Sequence, residues 1–220
     1  MTDQPSTAVE QLADTLRELI LDAGLEAAEP LREAALAAEY GVNRHTVRAA
    51  LQRLAAQRLV DFEPYRGARV RAFSDDDIVA LMQYRTALEA EAVRLLGSAS
   101  EGAIEIPDAV SAANARLRDV CETAPHDHRA IEEAHAALHH ALVAAAGSPR
   151  ITEAHAGLES ELLLFLAQLR PLLPADEMAD QHDRLLAEIA DSGDAAVRAH
   201  LAHSAQQLLA LRHDPPASSP

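Results

Sequence analysis

The sequence predicts a mainly α fold. An N-terminal module of three short helices and a β-hairpin precedes an all-helical antiparallel bundle of about six helices. Three observations carry this expectation. Helical periodicity runs through most of the 220 residues. Alternating residues flank a single Pro/Gly turn, Pro64-Tyr65-Arg66-Gly67. Charge and histidine are divided unequally along the chain: residues 1–72 hold 9 Arg against 11 Asp and Glu, whereas residues 73–220 hold 10 Arg against 24.

Val9 to Ala23 places Val9, Leu12, Ala13, Leu16, Leu19 and Ile20 on one helical stripe, with Gly24 as its C-cap. A shorter helix fits Arg32 to Tyr40, with Ala35, Leu36 and Tyr40 inward and Gly41 closing it. Asn43 then offers an N-cap for a third helix through about Gln57, whose Val47, Ala50, Leu51 and Leu54 face a core. Leu59 to Glu63 and Ala68 to Arg71 alternate around the turn as a hairpin. Ser74-Asp75-Asp76-Asp77 marks the boundary, since Ser or Asp caps a helix and acids suit its positive end. From Ile78 to Arg212 the patterns are helical, interrupted at Gly97–Glu105, Thr123–His128, Gly147–Pro149, Pro171–Pro174 and Asp191–Asp194. The domains expected are thus 1–72, 75–212 and a disordered tail over 213–220.

No run of about eighteen apolar residues is present, which argues against a membrane span. The polar, acidic N-terminus is unlike a secretory or transit peptide, and a single cysteine, Cys121, fits a reducing, cytoplasmic setting. The net charge of −16 argues at first against nucleic acid. Locally the sign reverses: residues 40–72 carry 7 Arg against 2 acids, and no lysine occurs anywhere. Each fixed cation is therefore a guanidinium, whose planar fork grips phosphates and guanine edges.

A helix, Gly41-Val42, a polar cap and an Arg-bearing helix make a helix-turn-helix pattern, in which the second helix can enter a major groove. Arg44, His45 and Arg48 lie opposite Val47, Leu51 and Leu54, where base edges and phosphates would be met. An ordinary helical hairpin with solvated arginines has the same spacing.

Leu31-Arg32-Glu33, Leu36-Ala37, the run Tyr40 to Leu54, Leu59-Val60 and Arg66 to Val70 together resemble the winged helix-turn-helix of GntR-family bacterial transcription regulators. The resemblance covers about residues 8–72 and implies binding of double-stranded DNA. It places Arg32, Asn43, Arg44, His45, Thr46, Arg48 and the wing residue Gly67 at the operator. Two departures from the family pattern are Ala28-Glu29 in place of Pro-Gly and Asn43 in place of Ser at the cap.

Ten of the eleven histidines lie at or beyond His126. His135 and His139 share a helix face at i and i+4, and His182, His200 and His203 stand on later helices with compatible faces. Converging imidazoles would suit zinc, nickel, cobalt or copper. Taken singly, histidines are more often satisfied or solvated, and His126, His128, His155 and His213 read as surface residues. Asp77-Ile78, Tyr84-Arg85, Leu88-Glu89 and Ala92, with Leu138 to Leu142 and Ala146 to Pro149, resemble the all-helical FCD ligand-binding domain of the FadR subfamily, in its six-helix VanR-like form.

That resemblance implies a divalent transition metal, zinc or nickel, held by His135, His139, His182 and His203. His135 stands where the family places Asp. His203 is chosen over His200 by taking Ser192 as the N-cap of the last helix. It also implies that Arg85 meets the carboxylate of a small organic acid; partnership with Glu89 or Glu133 is the alternative. The expected function is a homodimeric regulator, a repressor in polarity, reading an inverted-repeat operator under control of that acid. The competing class is a metal-dependent hydrolase using Glu132 or Glu133 as a base, but no acid/base pairing supports it, so an enzyme is not expected.

Overall fold

A computed structural model describes residues 6–63, 65–98, 104–169 and 174–213. Its contacts divide the chain into two compact units. The first comprises the chain up to Ala72 together with Ser160–Gln168; the second comprises Phe73–Glu159 and the chain from Leu169 onward.

In the first unit α1 spans Ala8–Leu21, β1 Pro30–Leu31, α2 Glu33–Glu39, α3 Arg44–Ala56, β2 Val60–Glu63 and β3 Gly67–Val70. A capping box starts α1: Thr7 Oγ1 accepts from the Glu10 N–H, and Glu10 accepts from the Thr7 N–H (3.0 Å). The helix ends in a Schellman turn, in which the Gly24 N–H donates to Leu19 O (2.8 Å) and the Ala23 N–H to Ile20 O (3.2 Å). Ala23, not Gly24, takes the left-handed conformation there (φ 58°). The terminating glycine is one place beyond the strained residue, a shift that the hydrophobic stripe alone does not resolve.

Leu12, Leu16 and Ile20 of α1 pack with Val47, Ala50, Leu51 and Leu54 of α3, all nearly inaccessible to water. Each buried leucine contributes about 1.5–3 kcal/mol of transfer free energy. α2 is shorter than expected, and Ala35 is exposed rather than inward; Leu36 carries its burial. Gly41 follows α2 with φ +65°, which spares a side chain the left-handed penalty at the turn. The hairpin has the register Val60↔Val70 to Glu63↔Gly67. A third strand, β1, joins the free edge of β3 through Pro30↔Arg69 and Leu31↔Ala68, giving the order β1-β3-β2. Two residues of strand carry too little periodicity to be read from sequence, and proline suits an edge because it has no N–H to donate. Pro64, in the predicted turn, lies outside the described residues.

The second unit holds α4 (Asp75–Ser98), α5 (Asp108–Thr123), α6 (His128–Ala145), α7 (Pro149–Ala156), α9 (Ala175–Ser192) and α10 (Asp194–His213). Ser74 caps α4, its hydroxyl accepting from the Asp77 N–H at 3.2 Å. α8 (Glu159–Leu169) packs with the first unit through Ser160–Gln168. Beyond residue 73 the described residues therefore form seven helices rather than about six. The additional break falls at Gly157-Leu158, where the Leu158 N–H bonds back to His155 O (2.9 Å) in a tight closing turn. Gly157 has a helical φ of −64°, so the local sequence carries no obvious stop.

The expected breaks at Gly97–Glu105 and Pro171–Pro174 fall partly outside the described residues. Helix α10 runs through His213, and the rest of the expected tail lies outside them. Among the described residues, no helix is long and apolar enough to cross a membrane.

Asn43 sets where α3 begins, because its Oδ1 accepts from the Thr46 N–H at 2.8 Å. Asn43→Ala should lower stability by about 1 kcal/mol, whereas Asn43→Ser, which keeps an acceptor, should cost only a few tenths. Urea unfolding followed by circular dichroism tests this; coincident midpoints for the two variants would remove the cap from the energetics of the module.

Candidate functional site

Two constellations carry chemistry, one in each unit. On α3 the cap fixes the first turn, so the next side chains project outward. Arg44, His45 and Arg48 are exposed, as is Arg32 at the start of α2. Arg48 forks onto Glu33, Nε to Oε1 at 2.7 Å and Nη2 to Oε2 at 2.8 Å. The hydrogen bond from Arg48 lowers the Glu33 carboxyl, with Arg44 contributing through space. An exposed pair of this kind adds little stability, but it holds the guanidinium in place without burying it. Thr46, expected at the operator, is buried, and its hydroxyl lies 3.2 Å from Asn43 Oδ1. Asn43 and Thr46 thus work on each other. At the wing, Gly67 is exposed with φ +81°, beside fully exposed Tyr65 and half-exposed Phe62.

In the second unit, α6 presents His135 and His139 one turn apart, and α9 presents His182. Their nearest ring nitrogens all lie within 4.8 Å of one another, and all three residues are buried. The His135 ring centroid lies 4.6 Å from that of His139 and 4.8 Å from that of His182. The fourth imidazole at the cluster is His200 of α10, 4.9 Å from His182 and 5.9 Å from His139. His203 is exposed, which corrects the sequence assignment. The count from Ser192 does not locate the ring: Ser192 closes α9, Gly193 makes the turn (φ 59°), and α10 starts at Asp194, one residue later than a cap at Ser192 implies. His200, about one turn beyond the buried Ala196 and Val197, is half-buried with its ring against His182, and His203 stands roughly 4.5 Å further along the axis.

Hydrogen bonding fixes the tautomers of two of these rings. His139 Nδ1 lies 2.7 Å from Glu89 Oε2, and an ionised carboxylate only accepts, so Nδ1 carries the hydrogen. His182 Nδ1 lies 2.7 Å from Met178 O, a carbonyl, so it too is the donor. The two Nε2 atoms are then lone pairs facing each other at 3.1 Å. Such a contact is repulsive unless a proton or a metal cation is shared between them. A proton is disfavoured. Burial, reinforced by His139, pushes the His182 imidazole down to about 3, and burial likewise lowers His139 against the pull of Glu89. Burial lowers His135 and His200 as well. Neutral imidazoles with converging lone pairs are the donor set that zinc or nickel requires.

Glu89 is fully buried and holds three donors: His139 Nδ1, Arg85 Nε on Oε1 (2.8 Å) and His155 Nε2 on Oε1 (3.3 Å). Burial pushes its carboxyl up, but Arg85, His139 and His155 outweigh it and hold the group well below the usual range. Arg85 is buried too; its Nη2 has no hydrogen-bond partner among the described residues. Of the two alternatives for its partner, Glu89 is the one observed; Glu133 pairs at the surface with Arg129 (2.5 Å). His155, read from sequence as a surface residue, is buried. His126, His128 and His213 are exposed. The i,i+4 spacing of Arg85 and Glu89 in an apolar stretch is a signal for a buried pair. Nothing local marks His155, which α7 brings in.

Comparison with known proteins follows the same division. Residues 8–70 match the family described as "Bacterial regulatory proteins, gntR family", and residues 80–206 match the FCD domain. A protein of Paenarthrobacter nicotinovorans described as a "Probable D-xylose utilization operon transcriptional repressor" is 29% identical over 210 residues, which cover 94% of this chain and 90% of that protein. A GntR regulator structure from Rhodococcus sp. RHA1 superposes with a TM-score of 0.74 at 23% identity, covering 93% of this chain and 99% of the other. E. coli McbR/YncC superposes with a TM-score of 0.63 at 19% identity, covering 94% and 98%. These families and relatives are transcription regulators, not enzymes, and the hydrolase alternative is set aside. The chain belongs to the GntR family of bacterial transcriptional regulators and carries an FCD domain behind its winged helix-turn-helix.

Proposed function

We propose that this regulator is a metal-containing, acid-responsive repressor that binds an inverted-repeat operator as a homodimer. The observation that carries the sensor half of this reading is the pair of facing Nε2 lone pairs of His139 and His182 with His135 beside them. His135, His139, His182 and His200 would hold a zinc or nickel ion. Bound there, the ion would supply a +2 charge that no carboxylate among these four residues offsets. Arg85 lies in the same buried cluster and has a free Nη2. A fixed guanidinium beside a cationic centre selects an anion, so the effector class is a small organic acid, sugar acids included. The relative from Paenarthrobacter nicotinovorans, whose description concerns D-xylose utilization, is compatible with a carbohydrate-derived acid. Such an acid alters operator affinity by favouring one arrangement of the dimer over another.

At the operator, residues 1–72 serve as the DNA-binding module, and the helices of 75–212 as the effector and dimerisation domain. Arg32, Arg44, His45 and Arg48 meet base edges and phosphates, and Gly67 lets the wing backbone approach the minor groove. Asn43 and Thr46 contribute by fixing the start of the recognition helix. The acidic excess beyond residue 72 repels the phosphate backbone, leaving the Arg-bearing face as the preferred contact.

Two outcomes follow. Arg44→Ala combined with Arg48→Ala should abolish retention of a palindromic operator probe in a gel-shift assay while sedimentation still shows the dimer. Each lost arginine contact costs about 1–3 kcal/mol in every half-site, so undiminished retention contradicts the assigned face. For the metal, elemental analysis of His139→Ala should show its loss. His200→Ala should lower the metal content, and His203→Ala should leave it at the parent level; the reverse order for the last two would restore the sequence-based register.

A further inference from the structure

Glu89 is a buried carboxylate that touches neither solvent nor the facing Nε2 atoms, yet α4, α6 and α7 all send a donor to it. We propose that Glu89 is the positioning residue of the metal centre. It keeps the hydrogen of His139 on Nδ1, so that Nε2 turns a lone pair toward His182 and His135. With the same carboxylate it aligns Arg85, leaving Nη2 for the anion. The inference rests on the metal reading above and adds the residue on which its geometry depends.

Neutral imidazole has two tautomers, and only one of them offers Nε2 as a ligand. For His182 the choice is made by a main-chain carbonyl, Met178 O. For His139 it is made by a side chain, Glu89, at 2.7 Å. His135 Nδ1 has no hydrogen-bond partner among the described residues, so no contact there makes that choice. A carboxylate behind a ligating imidazole also raises the basicity of the ring and restrains its rotation. The same group balances the charge of Arg85, Nε to Oε1 at 2.8 Å, so a dication arriving at the imidazoles does not meet an uncompensated guanidinium. His155 adds the third donor: its Nε2 donates to Oε1 at 3.3 Å, and its Nδ1 is buried without a partner among the described residues. Three donors on one carboxylate leave it little freedom to swing away from His139.

The test is a Co2+ titration of the full chain, comparing the parent with Glu89→Gln and with the double variant Arg85→Met/Glu89→Met. The double variant guards against misfolding, because replacing both members of a buried ion pair is tolerated where removal of one is not. It also leaves no stray charge, so its behaviour reports the missing acceptor rather than electrostatic repulsion. Both variants should bind Co2+ about 10- to 100-fold more weakly than the parent. The visible absorption bands of the bound ion should also shift, a signature that a merely structural role would not produce. Parent-like affinity and an unchanged spectrum in the double variant would overturn the role of Glu89 while leaving the metal site standing. A parent chain that binds no Co2+ would overturn the metal reading, and this inference with it.

Discussion

Removing the Arg85 guanidinium and the Glu89 carboxylate from water costs several kcal/mol for each ion, and their mutual attraction repays this only when the remaining hydrogen-bonding capacity is filled. The chain fills it with imidazoles. Glu89 takes hydrogens from His139 and His155 as well as from Arg85, and the three donors come from three helices. The arrangement of α4, α6 and α7 around that point is therefore tied to a single buried charge. An apolar contact tolerates sliding by a fraction of an ångström; a charge-assisted hydrogen bond does not. The carboxylate consequently sets not only a tautomer but the depth at which α6 presents His135 and His139. Among the described residues Arg85 remains incompletely satisfied, with Nη2 buried and unpartnered, an unmet need of the kind a bound anion fills.

The acidic composition has a different origin at each level of the structure. Much of the charge beyond residue 72 lies on exposed helix faces and is tied up locally, as in Arg94 with Glu91 and Arg198 with Asp194. Arg118 alone serves Asp180, Asp183 and Glu122 and braces α5 against α9, the helix that bears His182. The negative charge is thus surface and brace, whereas on α3, among the described residues, Arg48 pairs with Glu33 and Arg53 with Glu10. Net charge averaged over the chain conceals this division; charge counted by segment reveals it.

Much of the fold was legible because its signals are local. The stripe Val47, Ala50, Leu51 and Leu54 and the cap Asn43 fix α3 almost to the residue, and the i,i+4 pair His135 and His139 lies where helical spacing requires. What escaped depends on distant partners or on single-residue offsets. His155 looks like any polar residue of an exposed helix until α7 is folded against α4. His203 was preferred by counting from a cap at Ser192, whereas His200 reaches the cluster through the packing of α10 against α9, which no local pattern shows. β1 has two residues and owes its existence to the open edge of β3.

Helix α8 shows why domain boundaries read along a sequence need not be boundaries in space. It lies inside the stretch that matches the FCD domain, yet Ser160–Gln168 packs with the winged module. Its composition explains the need for burial: Leu162 through Ala167 are all inaccessible, which leaves no polar face to turn to water. Its charged residue near the start, Glu161, is buried with its carboxylate 3.4 Å from Arg71 Nη2 and 3.5 Å from Arg58 Nε. At its other end the Gln168 amide donates to Arg71 O at 2.7 Å. These polar anchors give an otherwise greasy helix a single orientation, since apolar contacts alone would leave its rotation poorly determined. Only Gly157 and Leu158 separate it from α7, whose His155 meets Glu89. From His155, whose ring is hydrogen-bonded to Glu89, the chain reaches Ser160 of the first unit in five residues, whereas from Glu89 itself it runs back through α4 for seventeen residues to Ala72.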